Sequence, residues 1–197
     1  MAGHSNGNGA DAGEPSGGSR KGTGLPIEDG RAVVVYYSRT GTTRAVATDV
    51  ADCLESPAVR PIRPRTERSY WNWLARSFLP GSTVPVESMA TDLRDAGAVV
   101  LGTPKWTLSC PPVTEFLRQA DLAGVPTGLV LTYGGFDEQR YADALADRLE
   151  DLGADLRARL LVQRDAVGTG DYRDGLATFC QALGEETTFG PGSTPKD

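Results

Sequence analysis

Histidine is almost missing from this chain: its 197 residues hold one, His4, inside a stretch dominated by glycine, serine, asparagine and aspartate. Hydrolytic triads and metal centres built on imidazole have no candidate in the part that can fold. Cysteine is scarce too. Cys53, Cys110 and Cys180 are odd in number, widely spaced and without a CxxC pair. That usage argues against a disulfide framework or a zinc site and for a reducing compartment. Lysine occurs only as Lys21, Lys105 and Lys196, so arginine supplies most of the positive charge. No apolar run approaches the ~18 residues of a membrane span, and no apolar leader segment is visible near the start. The net charge of −6 disfavours nucleic acid as a partner. A cytoplasmic protein without a membrane span or a nucleic-acid partner is expected.

Two phosphate-binding fingerprints are also absent where one would look for them. The stretch Arg31 to Asp49, RAVVVYYSRTGTTRAVATD, opens with a continuous β-branched and aromatic run, Ala32 to Tyr37, that reads as a buried strand. Apolar residues then recur at Val46, Val50 and Cys53-Leu54, a helical spacing. Between them lies Ser38-Arg39-Thr40-Gly41-Thr42-Thr43. This turn has no lysine before its hydroxyls, as a GxxxxGK[ST] loop requires, and only one glycine, where GxGxxG needs three. What remains is a pocket of hydroxyls and backbone amides at a helix N-terminus, suited to one terminal phosphate.

The rest of the chain alternates strand and helix, the pattern of an α/β fold with a parallel sheet. Residues 1–24 and 190–197 have too few apolar side chains to pack and read as disordered tails around a single domain, 25–189. Ala58 to Ile62, flanked by Pro57, Pro61 and Pro64, suits an edge strand. Ala98 to Leu101, Gly128 to Leu131 and Asp155 to Gln163 are further strands. Helices are expected over Val113 to Ala120, behind Pro111-Pro112, and over Tyr141 to Leu152 and Tyr172 to Leu183. Five strands with helical crossovers predict a doubly wound sheet ordered 2-1-3-4-5, with a ligand at the switch point between strands 1 and 3. The irregular segment Thr66 to Pro85 carries Tyr70, Trp71, Trp73, Leu74, Phe78 and Leu79. It is read either as a helix packing its aromatic face on the sheet or as a segment reaching the ligand edge or a partner subunit. Arg60, Arg63, Arg65, Arg68 and Arg76 make the neighbourhood basic, as a solvated face or a docking patch for an acidic partner.

The topology brings two more loops to the same rim. After strand 3 come Gly102-Thr103-Pro104-Lys105-Trp106, with an exposed-looking indole that can stack on a flat ring. After strand 4 come Thr132-Tyr133-Gly134-Gly135-Phe136, whose glycines permit close backbone approach. Ser38 to Thr43 resembles the phosphate loop of the flavodoxin family, and GTPKWTLSCPPVTEFL and TYGG are similar to that family's second and third loops. The resemblance spans Arg31 to Leu183. It implies a flavodoxin-like sheet that binds FMN, with Ser38, Arg39, Thr40, Gly41, Thr42 and Thr43 on the phosphate. Thr103, Pro104, Lys105 and Trp106 would line the ring, and Tyr133, Gly134 and Gly135 would close its other side. The chain departs from short-chain flavodoxins in its third loop, where glycines follow Tyr133 and the acids Asp137 and Glu138 come later.

The implied function is electron carriage between partner proteins, with NAD(P)H-dependent quinone or flavin reduction as the second reading. Either suits a monomer or a homodimer. Lys105 would raise the flavin potential if it faces the ring and do nothing if it points to solvent. Cys110, before a helix N-terminus, would have a lowered pKa if reactive, but a packing role is the expectation and it is assigned no catalysis. A phospho-accepting signalling domain on the same fold is excluded, because Tyr37-Ser38 and Gly102-Thr103 stand where its acidic residues would be.

Overall fold

The computed structural model describes residues 30–54, 57–66 and 70–184. The expected tails, 1–24 and 190–197, and the domain ends at 25 and 189 lie outside the described residues. The element order is β1 (Ala32–Tyr36), α1 (Thr42–Cys53), β2 (Ala58–Pro61), α2 (Tyr70–Ser77), β3 (Ala98–Pro104), α3 (Pro111–Gln119), β4 (Pro126–Tyr133), α4 (Glu138–Asp151), β5 (Asp155–Gln163), α5 (Arg164–Thr169) and α6 (Arg173–Gly184). All ladders are parallel and the sheet runs β2-β1-β3-β4-β5, the order expected from the sequence.

Successive strand residues face opposite sides, and each side has its own cover. Val33, Val35, Val99, Leu101, Leu129 and Leu131 pack under α3 and α4 against Val113, Phe116, Ala142 and Leu149. Val34, Val100, Val130, Leu160 and Val162 pack under α1 and α6 against Val46, Val50, Phe179 and Leu183. The continuous apolar runs of the central strands thus have a physical cause, burial on both faces, worth about 1.5–3 kcal/mol for each fully buried Val or Leu.

Strand ends and helix starts differ from the sequence reading by a few residues. β3 continues past Leu101 because Gly102 and Thr103 are paired in the ladder, opposite Tyr36 and Leu131. α3 starts at Pro111 itself, and α5 was not expected at all. Cys53 and Cys180 form a disulfide across 127 residues of sequence, which overturns the expectation of none. α1 and α6 lie side by side on one sheet face, and that neighbourhood brings the two α-carbons to 6.5 Å. The cysteine argument for a reducing compartment loses its footing with it. Among the described residues no helix is long and apolar enough to cross a membrane.

Candidate functional site

The turn after β1 is held by its own atoms. Gly41 precedes α1 in the left-handed conformation, φ 93°, and its carbonyl accepts the Ala45 N–H at 2.9 Å. The Gly41 N–H donates to Ser38 Oγ at 3.2 Å, so the Ser38 hydroxyl serves the turn. No side chain caps α1 and no acid stands in its first turn. Its first N–H groups therefore lack an intrahelical partner and carry the positive end of the helix dipole. The hydroxyls of Thr43 and Thr132 share a hydrogen bond at 2.7 Å, which ties α1 to the end of β4.

The loop after β3 is clamped from two sides. Its Lys105 N–H donates to the Thr132 carbonyl at 2.7 Å. The end of α2 holds the other side: the Ser77 carbonyl accepts the N–H groups of Leu108 and Ser109 at 2.9 and 3.1 Å, and the Ser77 and Thr107 hydroxyls bond each other. The aromatic segment therefore braces this loop, and Leu74 reaches the cavity described below. Trp106 is half-buried, not exposed, and meets Tyr37 edge to face with ring centroids 6.3 Å apart. Cys110 is buried, and that burial pushes its thiol up to about 12, against the lowering considered from its place before a helix.

The loop after β4 carries Asp137, the one non-glycine with positive φ (65°) among the described residues. Side chains rarely adopt that region, although aspartate tolerates it better than most. A Cβ on Gly134 would stand 2.9 Å from the guanidinium carbon of Arg164, the first residue of α5. Lys105 Nζ lies 5.9 Å from the Phe136 ring centroid.

These three loops enclose one cavity of about 490 Å³. Of the residues expected at a ligand, Arg39, Thr40, Thr42, Thr43, Pro104, Lys105, Trp106, Tyr133, Gly134 and Gly135 line it. Ser38 and Gly41 line a neighbouring cavity instead. Thr103 lines neither; it is buried within β3, its hydroxyl donating to the Pro104 carbonyl at 3.2 Å. The site residues expected from the sequence left out Thr107, Thr132, Phe136, Asp137 and Arg164, which also line the cavity; Leu74 lines it as well, in line with the reading of its segment as one that reaches the ligand edge. Arg164 follows β5 directly, and the rule that ligands gather at the carboxyl ends of parallel strands points to it.

No protein-family model matches the chain. An uncharacterised protein of Archaeoglobus fulgidus is 34% identical over 131 residues, 66% of this chain and 83% of that protein. A flavoprotein from Lactobacillus acidophilus, solved in complex with FMN, superposes with a TM-score of 0.58 at 12% identity, covering 73% of this chain and 99% of its own. A flavodoxin from the domain Archaea superposes at 0.51 with 17% identity, covering 79% and 99%. At such identities the solved structures establish the fold. By its sequence the chain belongs to one family with the A. fulgidus protein, and its fold is flavodoxin-like.

Proposed function

We propose that the chain is an FMN-binding redox protein that carries electrons between partner proteins. One observation carries this reading: a single cavity joins the uncapped N-terminus of α1 to an aromatic- and glycine-lined slot between the loops after β3 and β4. That is the division a phosphate at one end and a flat ring at the other would need. Its volume of about 490 Å³ falls among small-ligand sites, roughly 300–1,000 Å³. The fold shared with a flavoprotein solved in complex with FMN supports the same reading.

The donor set fits the group. Hydroxyls of Thr40, Thr42 and Thr43, with the first amides of α1, would hold the phosphate. Trp106 and Tyr133 would bound the ring and exclude water, and Gly134 and Gly135 would let the backbone come close to it. When bound, FMN supplies the one- and two-electron chemistry, and the protein contributes binding, orientation and electrostatics. At the cavity, Phe136 is 87% exposed, an apolar side chain of the kind that marks a contact surface. A redox partner protein would meet the flavin edge there. A cytoplasmic location belongs to the same proposal.

A second reading, an NAD(P)H-dependent quinone or flavin reductase, is favoured by one observation. Leu74 of α2 lines the same cavity as Trp106 and Tyr133, so the α2 segment walls the space in which a nicotinamide would meet the flavin ring. Anaerobic titration of the FMN-loaded protein with NADH and NADPH separates the readings. The carrier holds its yellow colour until a partner reductase is added; rapid bleaching by the nicotinamide alone makes the chain a reductase.

A further inference from the structure

The second cavity, about 770 Å³, is larger than the first and carries more arginines. Among the described residues, Arg39, Arg44, Arg63 and Arg65 line it, with Glu87 as the one carboxylate. Four arginines thus line one concavity on a chain of net charge −6.

The wall is built, not incidental. The Ile62 N–H extends the β2 pairing by donating to the Tyr36 carbonyl at 2.6 Å. Pro64 then bridges antiparallel to Val86, with Arg65 N–H to the Pro85 carbonyl at 2.9 Å and Glu87 N–H to the Arg63 carbonyl at 2.7 Å. Arg65 Nε donates to the Val86 carbonyl at 2.9 Å, which fixes that side chain along the wall. Arg63 and Arg65 are two apart on this extended segment and so share a side. Arg39 and Arg44 join them from the β1 turn and the first turn of α1.

We propose that this cavity is a second anion site, which takes a small molecule bearing two or more phosphate charges, the diphosphate of a nucleotide being the class that fits. Planar guanidinium forks bind phosphate oxygens in pairs, and several forks around one pocket match several oxygens better than they match a lone carboxylate. A concavity lined on several sides by arginines suits a small multiply charged anion better than a flat macromolecular surface. Among the described residues only Arg39 and Thr40 line both cavities, so the occupant would meet the phosphate turn away from the ring-lining residues Trp106 and Tyr133. The proposal stands beside the flavin reading and does not depend on it.

Calorimetric titration of the full chain with pyrophosphate and with ADP, each with and without saturating FMN, tests it. One-to-one saturable binding of either probe is expected under both conditions, and the tighter probe identifies the source of the anion. Arg63→Glu should weaken binding at least about ten-fold, the loss of one charge-assisted contact, and leave FMN affinity within about two-fold, since Arg63 is outside the flavin cavity. The wall depends on the Arg63 backbone carbonyl, which the substitution keeps; Arg65→Lys, which preserves charge but not the fork, should weaken binding less. Added salt should weaken it further. No saturable binding overturns the site. So does unchanged binding in Arg63→Glu, or binding abolished by FMN, which would put the anion on the α1 turn. Pyrophosphate binding in a chain that fails to take FMN would sink the flavin reading alone.

Discussion

Gly41 has a backbone angle, φ 93°, that an L side chain holds only at a cost of about 1–3 kcal/mol. Space is not the obstacle, because a Cβ there would meet Arg44 Nη2 at 3.5 Å, an ordinary contact. Gly41→Ala should therefore lower the melting temperature and weaken FMN binding together, since the same angle sets the amides of the turn; a variant with unchanged melting and FMN affinity would contradict this. Tyr172 is a second residue with a consequence of its own. Its phenol, bonded to Asp49, is raised from the ordinary 10.0 to about 12, first by burial and then by that hydrogen bond and the Asp49 charge. The folded protein keeps a proton that the unfolded chain releases across that range. Stability from this group is full below about pH 10 and is lost as pH rises toward 12. Denaturant midpoints measured at pH 9 and near pH 11 should show the fall in the parent and a smaller one in Tyr172→Phe.

At the scale of elements, α1 and α6 are joined twice on one sheet face, by Cys53–Cys180 and by Tyr172 on Asp49. A crosslink closing so long a loop stabilises mainly by restricting the unfolded chain, typically about 2–4 kcal/mol. Cys53→Ser, or reductant added to the parent, should lower unfolding free energy by that order; equal midpoints with and without reductant would show that the bond contributes nothing. The sequence could not announce this pair. Cysteine spacing reports local motifs, whereas these two meet because separate helices dock on the same strands. The strands themselves were legible, since Val33 to Val35, Val99 to Leu101 and Leu129 to Leu131 are apolar on both faces. Their ends were not, because Thr103 satisfies its hydroxyl locally and stays in the ladder as a polar residue. Trp106 looked exposed among polar neighbours, but Tyr37 and the brace from α2 draw it half inside.

For the whole molecule, topology gathers residues that sequence distance keeps apart. The β1 turn, the loop after β3, the loop after β4 and the start of α5 converge on one rim of the sheet. Three of the four were legible as hydroxyl-rich or aromatic turns after buried strands; Arg164 was legible only from its place at the end of β5, because α5 is short and carries no apolar period. The same rim separates a flat-walled cavity from an arginine-lined one, with the turn at Ser38 to Gly41 between them. The first of these is the proposed FMN cavity, and equilibrium titration of the purified, flavin-stripped protein with FMN, followed by flavin absorbance and fluorescence, reads its occupancy. Saturation at one FMN per chain is expected, with a perturbed visible spectrum and weaker binding in Gly41→Ala. A spectrum that stays that of free FMN at every ratio would contradict it.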